Sequence, residues 1–376
     1  MCAIVGVYGA KKASTVAYYS LFAMQHRGQE ATGISVSDGE RISLYKKRGM
    51  VADVFSQATL DNLEGTCAVG HNRYSTAGSD SAGDSQPVFA KYKLGEISVV
   101  HNGNLINKQE VRKELIDKGA IFQTDMDTEN IIHLIAKSQQ DSLVDRIKDM
   151  LTKIEGAYCL AIQSRSKMFV IRDRFGIRPL SLGKLKNGGY IVASETCAFD
   201  LVGAEFIRDV EPGEMLTFEE GKEPVSEKVF EQDYHPCAFE YIYFARPDST
   251  IDGKNVYEMR LEMGKRLAKE TPAEVDLVLP VPDSGVAAAK GYADGLGVPF
   301  EMGIVRNHYV GRTFIEPTQA IRDLKVKLKL SPIKHLIEGK RVAIIDDSLV
   351  RGTTSTQIVR MLLEAGAKEV HMRIAA

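Results

Sequence analysis

The stretch VAIIDDSLVRGTTS, residues 342–355, decides the fold of the C-terminal half of this 376-residue chain. Its apolar start predicts a buried strand, and Asp346 and Asp347 follow at the carboxyl end of that strand. The Gly, Thr and Ser residues after them predict a loop at a helix N-terminus, where backbone amides and hydroxyls bind phosphate. The two carboxylates suit ribose hydroxyls and a Mg²⁺ that carries pyrophosphate. The alternative, an N-capped helix after an ordinary strand, explains the threonines but not two acids at this edge.

Helices alternate with apolar strands around this stretch. The sequence predicts strands at 276–282, 299–305, 341–346 and 369–376, and helices at 256–269, 286–296 and 354–365. This alternation favours an α/β domain with a parallel sheet and right-handed crossovers. The chain stops at Ala376 directly after a strand, so we expect this domain to be incomplete at its C-terminus.

The pattern before residue 232 is different, because short alternating segments are separated by Gly, Ser and Asp. Antiparallel strands are predicted at 4–9, 66–75, 97–103, 157–173 and 189–194, with helices at 15–25 and 128–138. Crowded strands with a few helices indicate a layered α+β domain. The change of pattern near 232–236 therefore predicts two domains, residues 1–235 and 236–376.

Composition excludes several classes of protein. Hydrophobic residues make up 44% of the chain, charged residues 26%, and the formal net charge is -2, so neither nucleic acid nor a membrane surface is an expected partner. The N-terminus MCAIVGVYGA lacks the pattern of a signal peptide. Five widely spaced cysteines without a CxxC pair favour a reducing cytoplasm and give no support to a zinc or redox motif.

Cys2 stands apart from the other cysteines because it follows the initiator Met. A small second residue lets the Met be removed, which leaves Cys2 with a free α-amino group. An α-amine has a pKa of about 7.7–8.0 and a thiol about 8.5, so the amine can act as general base for its own thiol. The alternative is a small residue at a disordered terminus.

Two segments supply groups for a carboxylate and an oxyanion. GHNRYSTAGS (70–79) contains Arg73, whose planar guanidinium suits a substrate carboxylate. HNGNL (101–105) is predicted to place Asn102 and Gly103 at a tight turn after a strand, where the amide and the N–H suit an oxyanion hole. The alternatives are a surface charge and a simple β-turn.

Two more segments accompany them. In DTE (127–129), Asp127 suits a substrate α-ammonium, and its alternative role is the N-cap of the helix that follows. QHRGQEATGIS (25–35) is polar and Gly-containing, and lies between a predicted helix and a predicted strand.

In this order and spacing, MCAIVG, QHRGQEATG, GHNRYSTAG, HNGNL and DTE resemble the glutaminase domain of N-terminal-nucleophile (class II) glutamine amidotransferases. The resemblance implies an α+β N-terminal-nucleophile hydrolase fold, a four-layer αββα sandwich. It also implies that Cys2 is nucleophile and base and that Asn102 and Gly103 form the oxyanion hole. The implied glutamine contacts are Arg73, Gly103 and Asp127.

VAIIDDSLVRGTTS resembles the signature of type I phosphoribosyltransferases. PVPDSG (280–285) looks like their pyrophosphate loop, with a Pro-fixed turn as the alternative. The basic segment 306–330 looks like the loop that closes over the activated sugar, with a solvated connection as the alternative. The implied contacts to phosphoribosyl pyrophosphate are Asp283, Ser284, Gly285, Arg306, Arg312, Asp346, Asp347, Arg351, Gly352, Thr353, Thr354 and Ser355. The implied Mg²⁺ ligands are Ser284, Asp346 and Asp347.

Joined in one chain, the two halves resemble the amidophosphoribosyltransferase family. The resemblance implies that glutamine, phosphoribosyl pyrophosphate and water give 5-phosphoribosylamine, glutamate and pyrophosphate, the first step of purine synthesis. It further implies purine nucleotides as feedback inhibitors and a homo-oligomer, either dimer or tetramer. Some members carry an iron–sulfur cluster with a cysteine where Cys237 stands, but one cysteine cannot hold a cluster, so none is expected.

Three alternatives remain at this point. Another amidotransferase of the same class, making amino sugars or asparagine, would not need the DDS and GTTS elements. A non-catalytic regulator that binds nucleotides or phosphoribosyl groups would not need Cys2 as a nucleophile. A glutaminase without transferase activity stays open.

Overall fold

The structure is a computed structural model that describes residues 2–74, 85–307, 329–349 and 352–376. It divides into two compact units. The first comprises Met1–Cys237 and Ser249–Gly253, and the second comprises Ala238–Asp248 and Lys254–Ala376. The predicted phosphate ligands Arg312 and Arg351 lie outside the described residues, and so do the side chains of Thr353 and Thr354.

Strands dominate the first unit. They are β1 Ala3–Tyr8, β2 Ala31–Ser37, β3 Ile42–Arg48, β4 Cys67–Arg73, β5 Val88–Tyr92, β6 Gly95–Leu105, β7 Gly156–Ser164, β8 Lys167–Arg172, β9 Ser181–Leu185, β10 Tyr190–Ala193, β11 Ala204–Asp209, β12 Glu214–Glu219, β13 Val225–Lys228 and β14 Thr250–Ile251. The helices are α1 Ala13–Ala23, α2 Val51–Val54, α3 Gln57–Asp61, α4 Lys108–Asp117, α5 Asp127–Lys137, α6 Leu143–Leu151 and α7 Cys197–Val202. A 3₁₀ turn, Gln25–Arg27, follows α1.

Two sheets form the centre of this unit. One has the strand order β11-β9-β10-β1-β4-β2-β3, and the other has the order β13-β12-β8-β7-β6-β5. Neighbouring strands in both sheets are antiparallel over the described residues. β1 is central in the first sheet, between β4 and β10, so the residue that precedes it emerges from the middle of the sheet.

Three apolar cores separate four layers. The alternation of a strand sends Val5 and Val7 toward α1, and Ile4 into the space between the two sheets. A third core joins the second sheet to α4–α6 through residues such as Ile131 and Ile135. Helices therefore cover the outer face of each sheet, which is the αββα arrangement that the resemblance implied.

The prediction of a tight turn at HNGNL is wrong. All five of its residues belong to β6, and Asn102 and Gly103 pair with Cys159 and Tyr158 of β7. A β-carbon on Gly103 would lie 2.0 Å from the carbonyl oxygen of Ala157. Glycine at this position therefore permits close approach of the neighbouring strand rather than a reversal of the chain.

Over its described residues, the second unit contains a parallel sheet of three strands. The strands of the whole unit are β15 Lys254–Asn255, β16 Leu277–Pro280, β17 Ile304–Arg306, β18 Leu330–Pro332, β19 Arg341–Asp346 and β20 Glu369–Ile374. Its helices are α8 Val256–Glu270, α9 Val286–Leu296, α10 Lys334–Ile337 and α11 Thr353–Glu364, and Glu240–Phe244 forms a π-helical turn. The order β16-β19-β20 is parallel, as the alternation of strands and helices predicted.

The predicted strand at 299–305 is only partly correct. Phe300 makes one isolated parallel bridge to Val278, and the regular strand β17 begins at Ile304. β17 pairs antiparallel with β18 and belongs to a separate two-stranded sheet. The start of the segment still pairs with the parallel sheet, because Val278 N–H donates to the carbonyl oxygen of Pro299 and Glu301 N–H donates to that of Val278, whereas only Gly303 and Ile304 are buried. Among the described residues, no helix is both long and apolar enough to cross a bilayer.

Candidate functional site

Cys2 lies immediately before β1 and is half-buried. Its Sγ accepts a hydrogen bond from the backbone N–H of Tyr74 at 3.5 Å. Burial raises the pKa of the Cys2 thiol, and the Tyr74 N–H opposes that shift together with the positive charges of Arg73 and Arg27. A thiol in this environment has donors and cations around it that stabilise developing negative charge on sulfur.

The segment QHRG holds the backbone of Cys2. Arg27, in the 3₁₀ turn after α1, donates from Nε to the carbonyl oxygen of Cys2 at 3.0 Å. Gly28 lies so close to β4 that a β-carbon would be 2.6 Å from the carbonyl oxygen of Arg73. The motif thus fixes the main chain of Cys2, a role that was not predicted from the sequence.

Asn102 and Gly103 lie next to each other on β6. Asn102 is 1% exposed, and its Nδ2 has no hydrogen-bond partner among the described residues. A buried amide donor without a partner costs free energy, typically about 1–3 kcal/mol, unless a ligand uses it. Asn102 thus places an unsatisfied donor on the strand that supplies Gly103 to the neighbouring cleft.

Asp127 is the first residue of α5, and Met126 occupies the N-cap position without a side-chain cap. The alternative role of Asp127 as N-cap is therefore wrong. Its Oδ2 accepts from the backbone N–H of Leu105 at 3.0 Å, and its Oδ1 lies 3.5 Å from Nδ1 of His101. Burial alone would raise the pKa of Asp127, but His101, the Leu105 N–H and the charge of Lys108 lower it to about 2.

One cleft unites these groups. Its lining residues are Cys2, Arg73, Tyr74, Gln86, His101, Gly103, Asn104, Lys108, Asp125, Met126 and Asp127. Of the predicted glutaminase residues, Cys2, Arg73, Gly103 and Asp127 are among them, whereas the buried Asn102 is not. A cation and an anion beside a thiol match the carboxylate and ammonium of an α-amino acid.

Gln86, His101 and Lys108 line the cleft but were not predicted as site residues. The side chain of Gln86 accepts from the backbone N–H of His101 at 2.6 Å and donates to its carbonyl oxygen at 3.3 Å. This pair of bonds holds the start of HNGNL in place. These bonds involve the main chain of His101, so no sequence signal pointed to Gln86. The polar His101 side chain within an apolar strand did indicate a partner, which is Asp127.

The second predicted site is at the carboxyl edge of the parallel sheet. The Val281 N–H donates to the carbonyl oxygen of Ile345 at 2.8 Å, which joins the loop after β16 to the end of β19. A β-carbon on Gly285 would lie 2.4 Å from the same carbonyl oxygen. The structure therefore brings 280–285 and the Asp346–Asp347 pair to one edge, where parallel α/β sheets bind ligands.

The two acids differ in their surroundings. Burial and then the adjacent Asp347 raise the pKa of Asp346 to about 6. Asp347 is 5% exposed, and its Oδ2 has no hydrogen-bond partner among the described residues. Clustered carboxylate oxygens with an unsatisfied acceptor suit a hard cation such as Mg²⁺.

The remaining predicted phosphate ligands are only partly described. Arg306 on β17 pairs with the carboxylate of Asp283, and both side chains are about half exposed. Gly352 is the N-cap of α11 with a φ of 68°, which is a left-handed conformation that favours glycine. Ser284 and Ser355 are partly buried at the starts of α9 and α11. Helix starts with free N–H groups suit an anion.

Comparison with known proteins assigns the two halves. Residues 71–200 match the glutamine amidotransferase domain family, and residues 259–375 match the phosphoribosyl transferase domain family. The whole chain is 50% identical to amidophosphoribosyltransferase 1 (chloroplastic) of Arabidopsis thaliana and covers 66% of that protein. It is 46% identical to the amidophosphoribosyltransferases of Bacillus subtilis and Methanocaldococcus jannaschii, of which it covers 79% and 83%.

Solved structures give the same result. The whole chain superimposes with a TM-score of 0.95 and 46% identity on a structure described as the allosteric regulatory enzyme of purine biosynthesis, covering 81% of it. It superimposes with a TM-score of 0.94 and 46% identity on glutamine phosphoribosylpyrophosphate amidotransferase from Bacillus subtilis complexed with ADP and GMP, covering 82% of it. The predicted combination of an αββα domain and an α/β phosphoribosyltransferase domain is confirmed.

Proposed function

The chain belongs to the amidophosphoribosyltransferase family, the enzymes that transfer ammonia from glutamine to phosphoribosyl pyrophosphate in the first step of purine synthesis, and we propose how its residues divide that reaction. The predicted family is confirmed. The proposed division assigns glutamine hydrolysis to residues 1–235 and phosphoribosyl transfer to 236–376. The observation that carries it is the meeting of Cys2, Arg73, Gly103 and Asp127 in one cleft.

In the first half-reaction, Cys2 Sγ attacks the side-chain amide carbon of glutamine. Removal of the initiator Met frees the α-amino group of Cys2, which takes the thiol proton and delivers it to the leaving ammonia. The Asn102 amide and the Gly103 N–H stabilise the oxyanion, and their donors are fixed before substrate arrives. Water then hydrolyses the thioester to give glutamate.

Recognition of glutamine rests on two charges. Arg73 binds the α-carboxylate, and Asp127 binds the α-ammonium. Asp127 suits this role because the lowering of its pKa to about 2 keeps it ionised at any pH at which the enzyme works. Glutamate carries a negative charge on its side chain that glutamine lacks, and it is expected to bind more weakly than glutamine.

In the second half-reaction, ammonia replaces pyrophosphate at ribose C1. Asp346 and Asp347 would bind the ribose hydroxyls and, with Ser284, would hold Mg²⁺, while Asp283 and Gly285 would contribute to the pyrophosphate loop. When bound there, the ion would supply positive charge against the departing pyrophosphate. The Oδ2 of Asp347, which has no hydrogen-bond partner among the described residues, supports this assignment. Proteins usually bind Mg²⁺ through one or two carboxylates together with substrate phosphates. The proposed contacts to the phosphates are Arg306, Arg312, Arg351, Gly352, Thr353, Thr354 and Ser355.

Several properties of this chain follow as proposals from the family. The Bacillus subtilis structure is described as complexed with ADP and GMP, and we propose purine nucleotides as inhibitors here too. A homo-oligomer, dimer or tetramer, is proposed on the same basis. A cytoplasmic location is proposed from the five free cysteines, which suit a reducing compartment.

The decisive experiment measures glutamate and pyrophosphate release in parallel, with and without phosphoribosyl pyrophosphate and Mg²⁺. The proposal expects the two products in equal amounts from the complete mixture. Cys2→Ala should abolish glutamine use and retain pyrophosphate release when ammonium replaces glutamine. Loss of both activities in a folded variant would contradict the two-site scheme, and glutamate without pyrophosphate would restrict the chain to the glutaminase half.

A further inference from the structure

Glu195 is a buried carboxylate that the glutaminase mechanism does not use. It follows β10 in the sequence and is 0% exposed. Its Oε1 accepts from Nη1 of Arg27 at 2.5 Å and contacts Nε2 of His26 at 2.8 Å. Its Oε2 accepts from Oγ of Ser249 at 2.7 Å and from Sγ of Cys197 at 3.6 Å. One carboxylate thus gathers groups from three separate segments of the first unit.

Arg27 connects this carboxylate to the nucleophile. The same guanidinium that binds Glu195 through Nη1 donates from Nε to the carbonyl oxygen of Cys2 at 3.0 Å. Cys2 precedes β1, and the pairing of β1 with β4 begins one residue later, at Ala3. The registered strand pairing therefore does not include Cys2. The bond from Arg27 supplies a constraint on its carbonyl.

The backbone beside Glu195 is fixed to the same strand. Ser194 N–H donates to the carbonyl oxygen of Ile4 at 3.1 Å, and Ile4 N–H donates to Oγ of Ser194 at 3.0 Å. β10 and β1 are neighbours with Ala193 opposite Val5. The carboxylate and the cysteine therefore share one rigid frame, and Arg27 spans the distance between them.

The buried charges of Glu195 and Arg27 depend on each other. Burial would raise the pKa of Glu195, but Arg27 and His26 hold it well below its usual range, so the carboxylate is ionised. An arginine does not deprotonate in a protein, so a buried Arg27 requires an anion nearby. Without that anion the guanidinium would move toward water and release the Cys2 carbonyl.

We propose that Glu195 is a positioning residue for glutamine hydrolysis. It holds Arg27 in the orientation that fixes the main chain of Cys2, and through it the direction of the thiol and the α-amine. The inference rests on the proposed role of Cys2 as nucleophile. Glu195 is fully buried and does not line the cleft, so its removal should lower kcat and leave the proposed glutamine contacts at Arg73 and Asp127 intact.

The test compares Glu195→Gln, Glu195→Asp and Ser249→Ala in glutamine hydrolysis. Gln preserves the shape and removes the charge, Asp preserves the charge on a shorter side chain, and Ser249→Ala removes one contact and leaves the Arg27 pair. We expect Glu195→Gln to lower kcat by about 10- to 100-fold with KM for glutamine within about threefold, since small misplacements of reacting groups cost about that much. Glu195→Asp should recover part of the loss, and Ser249→Ala should stay within about threefold of the parent.

Partial unfolding must be separated from misplacement. A diazoketone analogue of glutamine that alkylates Cys2 counts competent sites and also reports the rate at which they react. Positioning predicts slower labelling that still reaches one per chain in Glu195→Gln. If instead fewer chains are labelled but those chains react at the parental rate, Glu195 has a purely structural role. That result would overturn the proposal.

Other outcomes are equally decisive. A folded Glu195→Gln with parental kcat would refute the positioning role, and so would a loss in Ser249→Ala as large as that in Glu195→Gln. If Glu195→Gln does not fold, Glu195→Asp carries the test, because slow but complete labelling is expected there too. Cys2→Ala separates the hypotheses: residual glutaminase in that variant would defeat the proposed nucleophile itself, whereas an inactive Cys2→Ala beside an unaffected Glu195→Gln would defeat only this inference.

Discussion

The backbone N–H of Leu105 donates a hydrogen bond to Oδ2 of Asp127 at 3.0 Å, which joins the end of β6 to the start of α5. β6 also carries Asn102 and Gly103, so this bond sets the distance between Asp127, the proposed ammonium ligand, and the two proposed oxyanion donors. His101 on the same strand contacts the other carboxylate oxygen at 3.5 Å. Asp127 is therefore positioned by tertiary contacts with β6, not by capping its own helix.

Asp127→Asn should weaken glutamine binding more than it slows the chemistry. Asn retains the acceptor for Leu105 but lacks the charge for the substrate ammonium, and a charged hydrogen bond is worth about 1.5–3 kcal/mol. We expect KM for glutamine to rise about 10- to 100-fold in steady-state assays of glutamate release. Asp125→Asn is the matched control, because Asp125 lines the same cleft but is largely exposed. An equal rise in that control would assign the ammonium to both acids.

The pH dependence of glutamine binding follows from the same residue. The pKa of Asp127 is lowered to about 2 in the folded protein, against about 3.9 for a free side chain. A depressed carboxyl pKa stabilises the fold above the unfolded pKa, and that contribution is lost as pH falls through the folded value. The same low pKa keeps Asp127 ionised between pH 5 and 8, so KM for glutamine should show no inflection from Asp127 in that range. An acidic inflection in that window that disappears in Asp127→Asn would contradict the assignment.

Asn102→Ala should affect the chemical step. The orphaned Nδ2 is the predicted donor to the oxyanion, and removal of one such donor costs about 10²–10³ in kcat in other acyl-transfer enzymes. We expect a loss of this size with KM for glutamine within about threefold. Asn104→Ala, two residues along the strand and exposed at the same cleft, is the comparison. Comparable losses in both variants would contradict a specific role of the Asn102 amide as oxyanion donor.

Sequence reasoning succeeded where a local pattern decides the structure. The helix predicted at 286–296 is observed as Val286–Leu296, and the strand predicted at 341–346 is observed as Arg341–Asp346. Both depend on apolar periodicity and on local start signals. The prediction failed at HNGNL, because Asn-Gly favours a turn unless a neighbouring strand holds it extended, and only the tertiary structure supplies β7.

The site was predictable where side-chain chemistry itself suggests a ligand. Cys2, Arg73 and Asp127 carry such groups, and the structure brings all three to one cleft. Arg27 and Glu195 were missed because each neutralises the charge of the other inside the fold. A pair separated by 168 residues leaves no local signal in the sequence. An acidic residue two positions after the apolar strand β10 was the one available indication, because buried carboxylates need partners.

Asp252→Ala should strongly destabilise the first unit. Arg172, whose side chain is 1% exposed, donates to both carboxylate oxygens of Asp252 at 2.9 and 3.1 Å, and Tyr234 donates to one of them at 2.7 Å. Removal of one partner leaves a buried charge uncompensated, which costs about 3–5 kcal/mol. Thermal unfolding should therefore begin at a clearly lower temperature.

Asp252→Asn is the control for the charge. Asp252 has a φ of 46°, a left-handed conformation that Asn tolerates and Ala does not. The Asn variant keeps the backbone and some hydrogen bonds, so it should lose less stability than Ala. If both variants unfold at the parental temperature, the Arg172 pair contributes nothing to the fold.

Gly264→Ala tests the packing of α8 on α9 in the second unit. Alanine is the better helix former by about 1 kcal/mol, so helix propensity alone predicts stabilisation. A β-carbon at Gly264 would, however, lie 1.9 Å from the carbonyl oxygen of Ala288, and one at Gly291 would lie 2.0 Å from that of Leu261. The two backbones are therefore in direct contact, and the helices must separate to admit a methyl group. Overpacking costs about 1–3 kcal/mol and exceeds the gain in propensity, so we expect net destabilisation.

Thermal unfolding of Gly264→Ala measures this balance, with hydrogen exchange of α8 and α9 amides to locate the loss. Glu262→Ala, on the same helix with an exposed ion pair to Lys265, should change stability by less than about 1 kcal/mol. Glutaminase activity should survive in both variants, because the change lies outside the unit that contains Cys2. A higher unfolding temperature in Gly264→Ala would mean that helix propensity outweighs the close contact, and that the two helices yield to a methyl group at little cost.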